Sequence, residues 1–139
     1  MKFRQIFITG TDTEIGKTLI TCILANKYKK KSEVQIYKPI VAGVNKDNKN
    51  EDLESYKKII KDVSYDQLSD YILPHYCSPN ISAKLTKKKI NFQKVLKRIN
   101  SFRENFKFLI MEGAGGIYCP INDKYTFFDL IEEIKIPIE

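Results

Sequence analysis

A chain of 139 residues, 42% hydrophobic and 29% charged with eight Tyr and eight Phe, holds enough apolar material for one packed domain and too little length for two, so 1–139 is read as a single unit. That balance excludes a disordered chain, and no apolar stretch approaches the length of a membrane span. The net charge of +7 raises nucleic-acid binding, but the basic residues are overwhelmingly Lys, densest in KLTKKKINFQKVLKR (Lys84 to Arg98), without the Arg and exposed aromatics of a base-reading face. A solvated helix face fits better, and neither nucleic acid nor membrane is expected as a partner.

The opening MKFRQIFITG lacks a signal-peptide core followed by a cleavage site, so a cytoplasmic protein is expected. Phe3 to Thr9 reads as a buried parallel strand ending at Gly10. GTDTEIGKT (Gly10 to Thr18) follows. Gly16 to about Lys30 reads as a helix whose apolar stripe is Leu19, Ile20, Ile23 and Leu24 with Lys27. Cys22 on it, with Cys77 and Cys119, makes an odd, widely spaced set that suits free thiols.

Val34 to Lys38 predicts a second strand closing at Pro39, and NKDNKNED leads into a helix over Asp52 to Lys61. From Asp62 to Thr86 the period fades, and irregular chain with short helical turns is expected; His75, without a spaced partner, is read as incidental. Asn91 caps a helix with Phe92, Val95, Leu96, Ile99 and Phe102 on one face. Phe106 to Met111 is a further buried strand ending at EGAGG, and IKIPIE resembles the opening of another.

Alternating strands and helices predict an α/β fold with a parallel sheet, helices on both faces and ligands at the carboxyl ends of the strands. GTDTEIGKT, YKP and EGAGG each fall where such a strand would end. A glycine-bearing loop entering a helix presents backbone N–H groups and the positive helix end to phosphate. Lys17 would reach the phosphates and Thr18 would ligate Mg2+, although five residues, not four, separate the two glycines. Glu112 and, more weakly, Asp52 are the carboxylates that would assist the metal, and Lys38 could add positive charge at a reacting phosphate.

Taken together, GTDTEIGKT, YKPIVAG and MEGAGGIYCPIND, with SPNISA and TFFDL between and after them, resemble the dethiobiotin synthetase family, whose phosphate loop has this five-residue spacing. The resemblance implies a P-loop NTPase-like sheet, incomplete at the C-terminus because the family pattern continues beyond Glu139. It implies that diaminopelargonate, carboxylated by CO2 on one amine, has its carbamate phosphorylated by ATP with Mg2+, after which the second amine closes a ureido ring. The ATP-binding residues so implied are Glu14, Ile15, Gly16, Lys17, Thr18 and Leu19, with Asp52 and Glu112, Gly113, Ala114 and Gly115. Lys17 and Lys38 would be catalytic, Thr18, Asp52 and Glu112 the metal ligands, and Thr13 and Ala42 would face the substrate. Ala42 stands where the family usually places Ser or Thr, so one hydroxyl contact is missing. A family-like homodimer also follows.

Three rival readings remain. A cobyrinic or cobyric acid amidase has a similar amino-terminal loop and glutamate motif. A partitioning ATPase has an early second lysine in its loop that TDTEI lacks. A non-catalytic remnant would keep the motifs without turnover.

Overall fold

The computed structural model describes residues 4–135. Three strands, β1 (Arg4–Ile8), β2 (Val34–Tyr37) and β5 (Phe108–Glu112), form a parallel sheet in the order β1-β5-β2. Its register sets Ile8 beside Glu112 and Tyr37 beside Met111. Lys38, one residue beyond β2, therefore arrives level with the end of β5. Two further strands, β3 (Ile40–Ala42) and β4 (Tyr71–Leu73), pair parallel with each other.

β5 is buried along its whole length, and its side chains alternate between two apolar layers, as the two-residue period of a strand requires. Phe108 and Ile110 pack with Val34 and Ile36 against Ala25 of helix α1 (Lys17–Tyr28), Leu53 and Tyr56 of α2 (Glu51–Ile59) and Leu68 of α3 (Tyr65–Leu68). Leu109 and Met111 pack with Tyr37 against Ala83 of α4 (Pro79–Leu85), Val95, Ile99 and Phe102 of α5 (Phe92–Asn105), and Phe127, Leu130 and Ile134 of α6 (Phe127–Ile134). Helices thus cover both faces, as the alternating pattern predicts.

Local chemistry sets the helix starts. Asn50 accepts a hydrogen bond from the Leu53 amide at 3.1 Å and donates through its side chain to the Gly43 carbonyl at 2.7 Å. It both caps α2 and ties it to the chain leaving β3. Asn91 caps α5 through the Lys94 amide at 3.0 Å. Thr126 and Asp129 form a reciprocal capping box at the start of α6.

Several sequence expectations are corrected. β1, expected to be a buried strand, lies at the edge of the described sheet, with Arg4 exposed and its other residues only half-buried. Most of the predicted stripe of α1 is not core: Leu19, Ile20 and Ile23 are 63%, 48% and 53% exposed and Lys27 is exposed, Leu24 alone packs half-buried against the core, and the buried residues of the helix are Lys17, Thr21 and Ala25. An apolar count cannot identify the inward face of a helix whose polar and apolar residues are not segregated and whose buried side carries Lys17 and Thr21. The stretch from Asp62 to Thr86 holds α3, β4 and α4. Its strand is only three residues long and follows the turn that carries Asp70, whose amide, like that of Tyr71, donates to the Pro39 carbonyl at 3.1 Å. TFFDL opens helix α6. Of IKIPIE, the last four residues lie outside the described part, as do Met1 to Phe3. Among the described residues no helix is long and apolar enough to cross a membrane.

Core and exposed apolar positions are separable by mutation. Ile110→Ala, at a fully buried position, is expected to cost about 2–5 kcal/mol of stability in urea unfolding, and Leu19→Ala less than about 0.5 kcal/mol.

Candidate active site

β1 runs into the Gly10–Gly16 loop, which reverses through two left-handed residues, Glu14 at φ 54° and Gly16 at φ 97°. Gly16 has no side chain with which to cap α1, so the first amides of the helix remain directed at the loop, where its positive end lies. Thr13 turns its amide onto Asp12 Oδ1 at 2.7 Å. Lys17 is buried and crosses the loop, its Nζ donating to the Asp12 carbonyl.

The EGAGG loop is fastened to this one by backbone. The Gly113 amide donates to the Ile8 carbonyl at 3.1 Å and the Ile117 amide to the Gly10 carbonyl at 2.9 Å. A β-carbon on Gly116 would stand 2.6 Å from the Thr11 carbonyl oxygen, and Gly115 has φ 66°. Only glycine allows the two loops to lie this close.

Between them the polar side chains converge. Glu112, at the end of β5, is fully buried. Its Oε1 accepts from Lys38 Nζ at 3.0 Å and lies 2.9 Å from Thr18 Oγ1, while Oε2 accepts from Thr21 Oγ1 at 2.6 Å and from the Tyr56 hydroxyl. Lys38 also ion-pairs with Asp52, whose Oδ1 lies 2.7 Å from Thr18 Oγ1. Thr18 has one hydroxyl proton and can donate to only one of these two carboxylates. A hydroxyl and two carboxylate oxygens therefore crowd one point, a donor set that suits a hard dication such as Mg2+. Among the described residues no group of three or more His, Cys, Asp or Glu is gathered as a metal cage, so an ion here would draw its other ligands from water or phosphate.

Burial and charge act oppositely on these groups. Burial pulls the Lys38 ammonium down, but Glu112 and then Asp52 outweigh it and hold Lys38 above the ordinary lysine value. For Asp52 burial pushes up, and the charge of Lys38 with hydrogen bonds from Lys38 and Thr18 outweighs it, leaving the carboxyl below its usual range. Lys17 is lowered, first by burial and then by Lys38.

The structure thus brings Lys17, Thr18, Lys38, Asp52 and Glu112 into one cluster, flanked by Glu14 to Leu19 and Gly113 to Gly115. Ile15 and Leu19 turn outward, 51% and 63% exposed. Thr13 is an exposed loop residue whose hydrogen bonds go to Asp12, and Ala42, at the end of β3, offers only a methyl. Sequence reasoning missed Thr21 and Tyr56. The signal was helical spacing: Thr21 lies three residues after Thr18 and Tyr56 four after Asp52, so each shares a helix face with a predicted ligand.

A family model described as "AAA domain" matches residues 4–138. The chain belongs to this AAA domain family. It is similar to the ATP-dependent dethiobiotin synthetases of Methanococcus vannielii (36% identity over 95% of this chain and 61% of the relative) and Clostridium perfringens (33% over 97% and 63%). It is also similar to that of Bacillus subtilis (31% over 97% and 59%). The chain thus spans about three fifths of the length of these curated relatives. Within this AAA domain chain, the matched region includes both glycine loops and the whole charged cluster.

Two predictions follow from the geometry. Gly116→Ala is expected to lower the urea midpoint, because the added methyl must push the Thr11 backbone away; an unchanged midpoint would mean that the loops are not in contact. Asp52, with its folded value depressed below 3.8, contributes stability that is present above pH 3.8 and lost as pH falls through the folded value. The melting temperature of the wild type should therefore fall more steeply than that of Asp52→Asn on acidification below about pH 4.

Proposed function

We propose that the chain carries the nucleotide- and phosphoryl-handling part of an ATP-dependent dethiobiotin synthetase. The observation that carries this reading is the meeting of Lys38, Asp52, Glu112 and Thr18, from four separate segments, beside the glycine loop that holds Lys17. The likeness to dethiobiotin synthetases suggests the reaction, and the paired glycine loops suit the phosphate chemistry.

In this reading Glu14 to Leu19 wrap the phosphates of ATP with backbone amides, and Gly113 to Gly115 close on them from the second loop. Thr18, Asp52 and Glu112 would hold Mg2+, which supplies neutralisation of the charge on the transferring phosphoryl group. Lys17 places its ammonium on the phosphates. Lys38, fixed as a cation by its two carboxylates, stabilises the carbamate of diaminopelargonate and the phosphoryl group that reaches it. A carbamate oxygen attacks the γ-phosphorus and the bond to ADP breaks. The second amine then attacks the carbonyl carbon of the mixed anhydride, and phosphate leaves as the ureido ring closes. Thr13 and Ala42 lie on the substrate side; the hydroxyl missing at Ala42 costs on the order of 1–3 kcal/mol if a polar substrate group is left without its partner. A homodimer and a cytoplasmic setting belong to the same reading.

Phosphate release from ATP that requires both diaminopelargonate and CO2 is the expected result. Lys17→Ala, which removes no hydrogen bond to Glu112 or Asp52, should lower it by about 100-fold or more. Release independent of diaminopelargonate would overturn the synthetase reading, and nucleotide binding without any release would favour a non-catalytic nucleotide-binding remnant.

A further inference from the structure

We propose that Tyr56 and Thr21 are positioning residues that hold Glu112 as a one-oxygen ligand, so that the site selects Mg2+ over Ca2+. This rests on the nucleotide and metal reading given above, and it concerns what sets cation specificity within it.

Glu112, Tyr56 and Thr21 are all fully buried and come from three different elements, β5, α2 and α1. The hydroxyls of Tyr56 and Thr21 both donate to the same carboxylate oxygen, Oε2, with Thr21 at 2.6 Å. A carboxylate oxygen offers about two lone-pair sites, so these two donors fill it. Oε1 faces the other way, toward Thr18 Oγ1 and Lys38 Nζ at 2.9 and 3.0 Å. Turning the carboxylate so that both oxygens met one ion would strip two buried hydroxyls of their acceptor, and neither could reach water.

The two cations make different demands on that carboxylate. Mg2+ is small and octahedral, with ligands at about 2.0–2.1 Å, and takes carboxylate oxygens singly. Ca2+ takes about 6–8 oxygens at about 2.3–2.6 Å and commonly draws both oxygens from one carboxylate. A Glu112 locked by Oε2 meets the first demand and refuses the second. Removing either hydroxyl opens one acceptor site on Oε2 and relaxes the refusal, while leaving the ligand atoms unchanged in identity.

The test is nucleotide-dependent thermal stabilisation, titrated separately with Mg2+ and with Ca2+, for wild type, Tyr56→Phe, Thr21→Val and Thr21→Ser. The wild type should reach its half-maximal shift at lower Mg2+ than Ca2+. Tyr56→Phe and Thr21→Val should each raise the Mg2+ midpoint by about 10- to 100-fold with little change or a fall for Ca2+, narrowing the preference, and Thr21→Ser should restore it. A merely structural role would lower the melting temperature before any cation is added and leave the ratio of the two midpoints where it was. If Tyr56→Phe and Thr21→Val, or whichever of them folds, keep the wild-type ratio, the proposal is overturned and the metal site stands. If the wild type shows no cation-dependent nucleotide shift, the metal reading fails and the specificity proposal fails with it.

Discussion

Burying the carboxylate of Glu112 is the constraint on which the rest of the site depends. A bare carboxylate with no exposure would be strongly disfavoured, and the cost is offset only by full pairing and hydrogen bonding. Lys38, Thr18, Thr21 and Tyr56 surround it, and Lys38 in turn needs Asp52 as its second partner. Each of these side chains is where it is because a strand end or helix face puts it there. The parallel register brings Lys38 level with Glu112, α1 supplies Thr18 and Thr21 one turn apart, and α2 supplies Asp52 and Tyr56 one turn apart.

Such a cluster is an expensive way to hold a fold together, since well-packed apolar residues stabilise as much or more. Its position favours chemistry over structure. The cluster sits at the carboxyl ends of the sheet, beside two glycine loops locked backbone to backbone, where helix α1 begins. Parallel sheets place ligands at that edge, and the same positive helix end that would attract phosphate stands next to a point crowded with three oxygens.

Much of this was legible in the sequence. β1, β2, β5 and helices α1, α2 and α5 follow from apolar runs bounded by Gly, Pro and Asn caps, and Lys17, Thr18 and Glu112 follow from their places at strand and helix ends, whereas Asp52, one of several acidic residues in its stretch, and Lys38, one lysine among many, stand out only through the family resemblance. What escaped notice did so for physical reasons. β3 and β4 have three residues each, too few for a period to declare itself. The outward turn of Leu19, Ile20 and Ile23 depends on which face of α1 meets the sheet, and that is decided by the small Ala25 and the polar Lys17 and Thr21. Tyr56 and Thr21 looked like ordinary helix residues because their partner, Glu112, is 56 and 91 positions away in the chain.

The central claim is that this charged cluster is built to receive a magnesium nucleotide and is not an internal ion pair that only holds the fold. Calorimetric titration of the folded chain with ATP in the presence of Mg2+ tests it most directly, with Lys17→Ala and Glu112→Gln alongside. A nucleotide site predicts saturable binding to the wild type, loss of binding in Lys17→Ala, and binding that no longer depends on Mg2+ in Glu112→Gln. A cooperatively folded wild-type chain that takes up no nucleotide, or that binds it equally well without Lys17, would contradict it.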